Sequence, residues 1–416
     1  MDAVHILVVT PIPPWPTVTG AQMRLANVVA GLSRLGRVDL FVLLGRSTRD
    51  VVSVPPGAPV QRVGAAYRPW RRWNWPVRAA WALRGDVPLE LAGRDYRDVR
   101  TRFRQWAVGR YDLVWAHRVE SYHALGACFR APVVVDFDDL EDHKIAARLR
   151  MRGAVGTARG VARVRQAGSW VQGVRNALCW RRLQQAVARA VDTVVVCSEV
   201  DRRRLGVGNA VVVPNGYSEP DAPAGRVDVG DPPVVTFVGF LPYAPNADAA
   251  VYLARAIGPR VRARIPDVQI RLVGYADGRI AALHDPPRVV VTGYVPEVVT
   301  ELRRADALAV PVRFGGGTRI KVLEGFAHRI PVVSTTAGAE GIEARDGVEI
   351  LLRDTPEAFA QGCVALLRDL RLRQALTDAA HALFMARYRW EQVQDTVTAV
   401  ASSVVTGHGG RVAVPG

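Results

Sequence analysis

The chain has 416 residues, 49% hydrophobic and 23% charged, with 55 Lys/Arg against 39 Asp/Glu and a net charge of +16. That length leaves room for two ordinary domains, and the composition excludes a disordered chain. Four well-separated cysteines (Cys128, Cys179, Cys197, Cys363) form neither a metal-ligand pattern nor a disulfide framework. No apolar run reaches the roughly 18–20 residues of a membrane span, and no basic leader precedes the first apolar run, so a cytoplasmic protein, at most attached to a membrane surface, is expected.

The first half alternates strands and helices. HILVVT (5–10) reads as a buried strand, and AQMRLANVVAGLSRLG (21–36) as an amphipathic helix ending at a glycine. VDLFVLL (38–44), YDLVWAH (111–117), APVVVDF (131–137) and DTVVVCS (192–198) are further apolar runs. Their uniform hydrophobicity suits a parallel sheet covered on both faces, and the alternation with helices predicts a doubly wound α/β domain. Within this half, residues 66–84 interleave four tryptophans with arginines, and residues 143–191 hold eleven Lys/Arg and no acid. Residues 1–200 carry a net +14, and residues 201–416 only +2. A codon bias toward arginine would act on both halves, so the asymmetry is more informative than the arginine content. An anionic membrane surface, a lipid-linked acceptor, nucleic acid and a merely solvated face all fit, with Arg71, Arg72, Arg163 and Arg165 the candidate contacts.

DFDD (136–139) contains an Asp-x-Asp of the kind that metal-dependent transferases use, but acceptor contact or helix capping is the reading preferred here, and no metal is expected. VVVPNGYSEPDAPAGRVDVGDPP (211–233) reads as a turn and an interdomain linker. A second series of strands follows: PVVTFVG (233–239), DVQIRLVG (267–274), RVVVTG (288–293), DALAVPV (306–312), IPVVSTT (330–336) and VEILL (348–352). The tail, 355–404, reads as helical, and the final residues TGHGGRVAVPG (406–416) as disordered. The expected division is an N-terminal domain 1–213, a linker 214–232, a C-terminal domain 233–388, and a terminal helix with its tail, 389–416.

Only two lysines occur, Lys144 and Lys321. Lys321 belongs to RFGGGTRIKVLEG (313–325), which follows a predicted strand. Gly315, Gly316 and Gly317 let backbone amides approach a ligand, and Thr318 is a candidate N-cap. Free N–H groups at the start of a helix suit a phosphate. Arg319 and Lys321 place full charges where cations oppose the helix dipole, which an anion would compensate. Glu324 shares the helix face with Lys321, and its carboxylate can accept two hydrogen bonds from a ribose diol. The same spacing also fits a glycine loop with a solvated Lys–Glu pair.

VPVRFGGGTRIKVLEGFAHRIPVVSTTAGAEGI (310–342) resembles the donor-binding segment of glycosyltransferase family 4, which has the GT-B fold. VVVPNGY (211–217) is similar to that family's turn at the domain junction, FVGFLPYAPNADA (237–249) to the start of its second domain, PPWPTVTGAQMR (13–24) to its first loop, and YDLVWAHR (111–118) to its histidine-bearing strand end. The resemblance implies two Rossmann-like doubly wound α/β domains facing a cleft, with C-terminal helices packing back toward the first domain. It implies transfer of a sugar, with retention and without a metal or other cofactor, from a nucleotide-diphosphate sugar to a glycan or lipid-linked acceptor; nucleic acid is then not expected as a partner. By position, Arg319 and Lys321 would hold the diphosphate, Glu324 the ribose, His117 the donor sugar near its anomeric carbon, and Gly20 would lie by the diphosphate. Gly316 stands where the family has its first glutamate, and the loop after the first strand of the second domain lacks the family's cations. Two other readings are a nucleotide-sugar epimerase of the same fold, disfavoured by the missing glutamate, and a non-catalytic basic binding protein, which leaves GGGTRIKVLEG without a purpose.

Overall fold

The structure is a computed structural model that describes residues 4–45, 52–68, 81, 87–154, 161–225, 229, 231–316 and 319–409. The chain falls into two compact units, Met1–Pro214 with Glu391–Gly416, and Asn215–Trp390.

In the first unit, β1 (Val4–Thr10), β2 (Gly36–Leu44), β3 (Arg62–Tyr67), β4 (Leu113–His117), β5 (Val133–Asp136), β6 (Thr193–Val196) and β7 (Ala210–Val212) form one sheet in the order β3-β2-β1-β4-β5-β6-β7. Every pairing is parallel. Five successive residues of β1, Ile6–Thr10, are buried, as a sheet covered on both faces requires. The second unit repeats the plan with β8 (Val234–Val238), β9 (Gln269–Val273), β10 (Val289–Gly293), β11 (Ala307–Val310), β12 (Val332–Ser334) and β13 (Leu351–Leu352), ordered β10-β9-β8-β11-β12-β13. Both are Rossmann-like doubly wound sheets, as the alternation of strands and helices predicts. Each reverses its strand order once, between β1 and β4 and between β8 and β11, and such switch points are where ligands bind in open α/β sheets.

Local departures from the sequence reading have physical causes. The first helix spans Gly20–Ser33 and not 21–36: Thr19 and Gln22 form a capping box at its start, and Gly36 opens β2. β3 escapes a search for apolar runs because it is an edge strand that buries only Gly64 and Ala66. The stretch read as a linker packs against the second unit. Ala224 is buried, and Gly225 N donates to His328 O at 2.7 Å. The helix Trp390–Gly409 runs on through Thr406, where the sequence reading expects disorder to begin; residues 410–416 lie outside the described residues. This helix is held to the first helix by Thr398 Oγ1 donating to Gly31 O (2.8 Å) and Gln394 Nε2 donating to Asn27 Oδ1 (2.7 Å).

Candidate functional site

The switch point of the second unit is flanked by the segments after β8 and β11. The segment after β11 carries Gly315, whose φ of +137° is open to glycine and strained for other residues. Gly316 is half-buried; Gly317 and Thr318 lie outside the described residues. Arg319 precedes the helix Ile320–Ala327, in the N-cap position. That helix sits close on the sheet because of Gly325, where a Cβ would lie 2.5 Å from Val332 Cγ2.

Lys321 and Glu324 both lie on this helix, half-buried, but they engage different partners. Lys321 Nζ donates to Asn246 Oδ1 at 2.8 Å and lies 5.1 Å from the Phe237 ring centroid. Asn246, in the first turn of the helix Ala244–Tyr252 after β8, in turn donates through Nδ2 to Phe240 O (2.9 Å), so one ammonium joins the two segments that flank the switch point. Burial, and then the like charge of Arg319, pulls the Lys321 ammonium down to about 8. Glu324 accepts from Tyr217 Oη at 3.0 Å, and burial pushes its carboxyl up to about 7 against the opposing pull of Tyr217 and Lys321. Arg319 donates to Gly316 O and, at 3.3 Å, to Ala337 O, which closes the loop on itself. Nearby, Phe240 and Tyr275, 61% and 55% exposed, stack with centroids 5.7 Å apart and planes 12° from parallel. The site can therefore present an ammonium, a carboxylate near its midpoint at neutral pH and a flat apolar face.

The first unit's switch point carries a buried ionic cluster. Gly20 is the first residue of the helix after β1, and Arg24 lies one turn further on. Arg24 donates to Asp136 through Nη2 (2.9 Å) and Nε (3.0 Å), and through Nη1 to Val213 O (3.0 Å) and Pro214 O (3.3 Å). His117 Nδ1 lies 3.4 Å from Asp136 Oδ2, and among the described residues neither ring nitrogen of the wholly buried His117 side chain has a hydrogen-bond partner. Burial alone would raise the Asp136 carboxyl; Arg24, and then His117, hold it far below the usual carboxylate range.

The remaining acids of DFDD are also engaged with cations. Asp138 pairs with Arg118 (3.1 Å) and Asp139 with Lys144 (2.8 Å). Asp138 and Arg118 both have positive φ, 59° and 66°, a strain that here accompanies a direct contact between the two. Among the described residues no group of three or more His, Cys, Asp or Glu is arranged to hold a metal ion. Of the candidate basic contacts, Arg71 and Arg72 lie outside the described residues, as do the side chains of Arg163 and Arg165. The helix that bears the last two, Val161–Ala190, exposes Trp170, Val171 and Leu178. No helix among the described residues is long and apolar enough to cross a membrane.

Three residues escape the sequence reading: Asn246, Tyr217 and Arg24. Each lies within a quoted motif, yet its partner is 75, 107 or 112 positions away.

The sheet order and the two switch points define a protein of the GT-B class. Two solved structures share the fold: sucrose-phosphate synthase from Thermosynechococcus elongatus (TM-score 0.67, 15% identity, 97% of this chain and 100% of that one) and Anabaena HepE, solved in complex with UDP and glucose (TM-score 0.62, 15% identity, 96% and 100%). Residues 232–369 match the family model described as Glycosyl transferases group 1. The chain is also similar to a phosphatidyl-myo-inositol mannosyltransferase of Mycobacterium tuberculosis, 30% identical over 226 residues, or 50% of this chain. The match spans 57% of the length of that curated relative.

Proposed function

We propose that this chain transfers a sugar from a nucleotide-diphosphate sugar to a glycan or lipid-linked acceptor, with retention at the anomeric carbon and without a metal. The observation that carries the reading is the pairing of Lys321 with Asn246 beside Glu324 at the second unit's switch point. Lys321 and the free amides before the helix would bind the diphosphate, Glu324 the ribose diol, and the Phe240–Tyr275 face the base. That Lys321 and Glu324 lie within the residues matched by the family model, and that HepE was solved with UDP and glucose, supports the assignment.

In the reaction proposed, the bond from the anomeric carbon to the diphosphate oxygen breaks and its electron pair leaves with the diphosphate. The acceptor hydroxyl oxygen bonds to the same face of the sugar, and its proton passes to the departing phosphate oxygen. The protein contributes fixed charges and dipoles, with Arg319 and Lys321 facing the negative charge that develops on the leaving group. Gly316, in place of a glutamate, would leave a backbone amide toward the sugar. The buried His117 imidazole, on its Asp136 support, is the candidate contact near the anomeric carbon. The excess positive charge of the first half supports an anionic, membrane-borne acceptor and a peripheral position on the cytoplasmic face.

The test is incubation with a panel of UDP-, GDP-, ADP- and dTDP-sugars in the presence of candidate lipid-linked and glycan acceptors. The expected result is release of one nucleotide with one sugar joined to acceptor, its anomeric configuration unchanged by NMR. Inverted product would overturn retention, and failure of every nucleotide to bind would overturn the donor site.

A further inference from the structure

Tyr217 lies two residues beyond the first passage of the chain between its units, and residues 388–390 adjoin the second. The two passages pair with each other. Tyr217 N donates to Tyr388 O (2.8 Å), Trp390 N donates to Tyr217 O (3.3 Å), and Tyr217 forms a parallel bridge with Arg389. Gly216 allows the close approach, since a Cβ there would lie 2.9 Å from Tyr388 O and 2.8 Å from the Trp390 ring. Arg389 Nη1 adds an ion pair to Glu219 at 2.8 Å.

The Tyr217 side chain leads from this ladder to the donor helix. Its ring meets His328 nearly edge-on, with centroids 6.0 Å apart and planes at 69°. Its hydroxyl donates to Glu324 Oε1 at 3.0 Å. Among the described residues the Glu324 side chain has no other hydrogen bond, and its second oxygen remains open to a ligand. A free glutamate must give up rotamer freedom when it binds; one already held by a hydroxyl does not.

We propose that Tyr217 is a positioning residue for the donor, holding Glu324 ready for the ribose diol and passing the occupancy of that site to the paired passages. The proposal rests on Glu324 being the donor's carboxylate. A diol bound to Oε2 draws the carboxylate and the tyrosine hydroxyl together into one network. The Tyr217 backbone, being part of the ladder, is then held more firmly, and so are its partners at Tyr388 and Trp390.

The test uses the full chain and whichever of UDP, GDP, ADP or dTDP binds it most tightly by calorimetry. Tyr217→Phe keeps the ring and removes the hydroxyl; it should weaken that nucleotide about 5- to 10-fold, within the net range of one ordinary hydrogen bond. In a Glu324→Gln background the same change should cost less than about twofold, because its target has been altered. Hydrogen exchange at the Tyr217 and Trp390 amides should slow when wild type is saturated with the nucleotide. It should not slow in saturated Tyr217→Phe. Unchanged affinity in Tyr217→Phe alongside weakened binding in Glu324→Gln overturns the role of Tyr217 and leaves the donor site standing. Full additivity in the double variant, or no change in exchange in saturated wild type, also overturns the proposal. No effect of Glu324→Gln, or no binding of any of the four nucleotides, overturns instead the donor reading beneath it.

Discussion

Arg24 and Asp136, 112 residues apart in sequence, form a two-pronged ion pair from which both side chains are fully excluded from solvent. Its carboxylate also faces His117, and its guanidinium also takes the carbonyls of Val213 and Pro214. Satisfied on all sides, the pair is tolerable in the core; with one member removed, the other is a stranded charge.

The first prediction concerns this pair and the motif that contains it. Arg24→Met should cost about 3–5 kcal/mol of stability in denaturant titration, because the Asp136 carboxylate is left buried alone. Asp136→Asn should be destabilising for the complementary reason. Neither variant should acquire a Mn²⁺ requirement, and wild-type turnover should continue in excess EDTA. Activity lost on chelation and restored by Mn²⁺ would show that DFDD serves a metal after all.

Removing the charged groups of the donor site should weaken nucleotide binding without unfolding the chain. Lys321→Ala deletes the ammonium and leaves Asn246 Oδ1 without its donor; Glu324→Ala deletes the acceptor of the Tyr217 hydroxyl. Each should weaken the preferred nucleoside diphosphate by about 1.5–3 kcal/mol, the range for hydrogen bonds to charged groups. Calorimetry that returned wild-type affinity for both variants would remove this site.

The same two groups predict a pH window. The Glu324 carboxyl, pushed up to about 7, becomes a carboxylate only as pH rises through that value. The Lys321 ammonium, pulled down to about 8, loses its charge as pH rises through that one. Both are charged together mainly between about 7 and 8, so affinity should peak there and fall on either side. The stability signs agree with this cost. The raised Glu324 contributes stability that is present at low pH and lost as pH rises through 7; the lowered Lys321 contributes stability that is present at high pH and lost as pH falls through 8. A bound diphosphate restores the ammonium, so binding at pH 8.5 should take up protons. Calorimetry in buffers of different ionisation enthalpy measures that uptake; proton release would contradict it.

The charge asymmetry predicts salt-sensitive attachment to anionic membranes. Wild type should sediment with anionic vesicles and not with neutral ones, and 1 M salt, which shortens screening to about 3 Å, should release it. A variant with Arg71, Arg72, Arg163 and Arg165 changed to Gln should sediment less while its donor hydrolysis stays near wild type. Equal sedimentation on both vesicle types would leave the basic surface as a solvated face.

The sheets were legible in the sequence because a parallel strand buried on both faces leaves a nearly unbroken apolar run, as at Ile6–Thr10. β3 was not legible, because an edge strand that buries two small residues leaves no such run. The helix Ile320–Ala327, proposed to bind the donor, was legible by the same local logic: glycines that permit an unusual backbone, followed by cations where a helix begins. By itself, then, the sequence determined the two α/β units, the glycine-rich segment before a helix and the identity of its charged residues, all properties written within a few turns of chain. Only the tertiary structure decided what those charges face. It set Lys321 against Asn246, Glu324 against Tyr217, and Asp136 against Arg24. A side chain's partner is chosen by which strands lie side by side at a switch point, and residues 75 to 112 positions apart leave no local pattern to read.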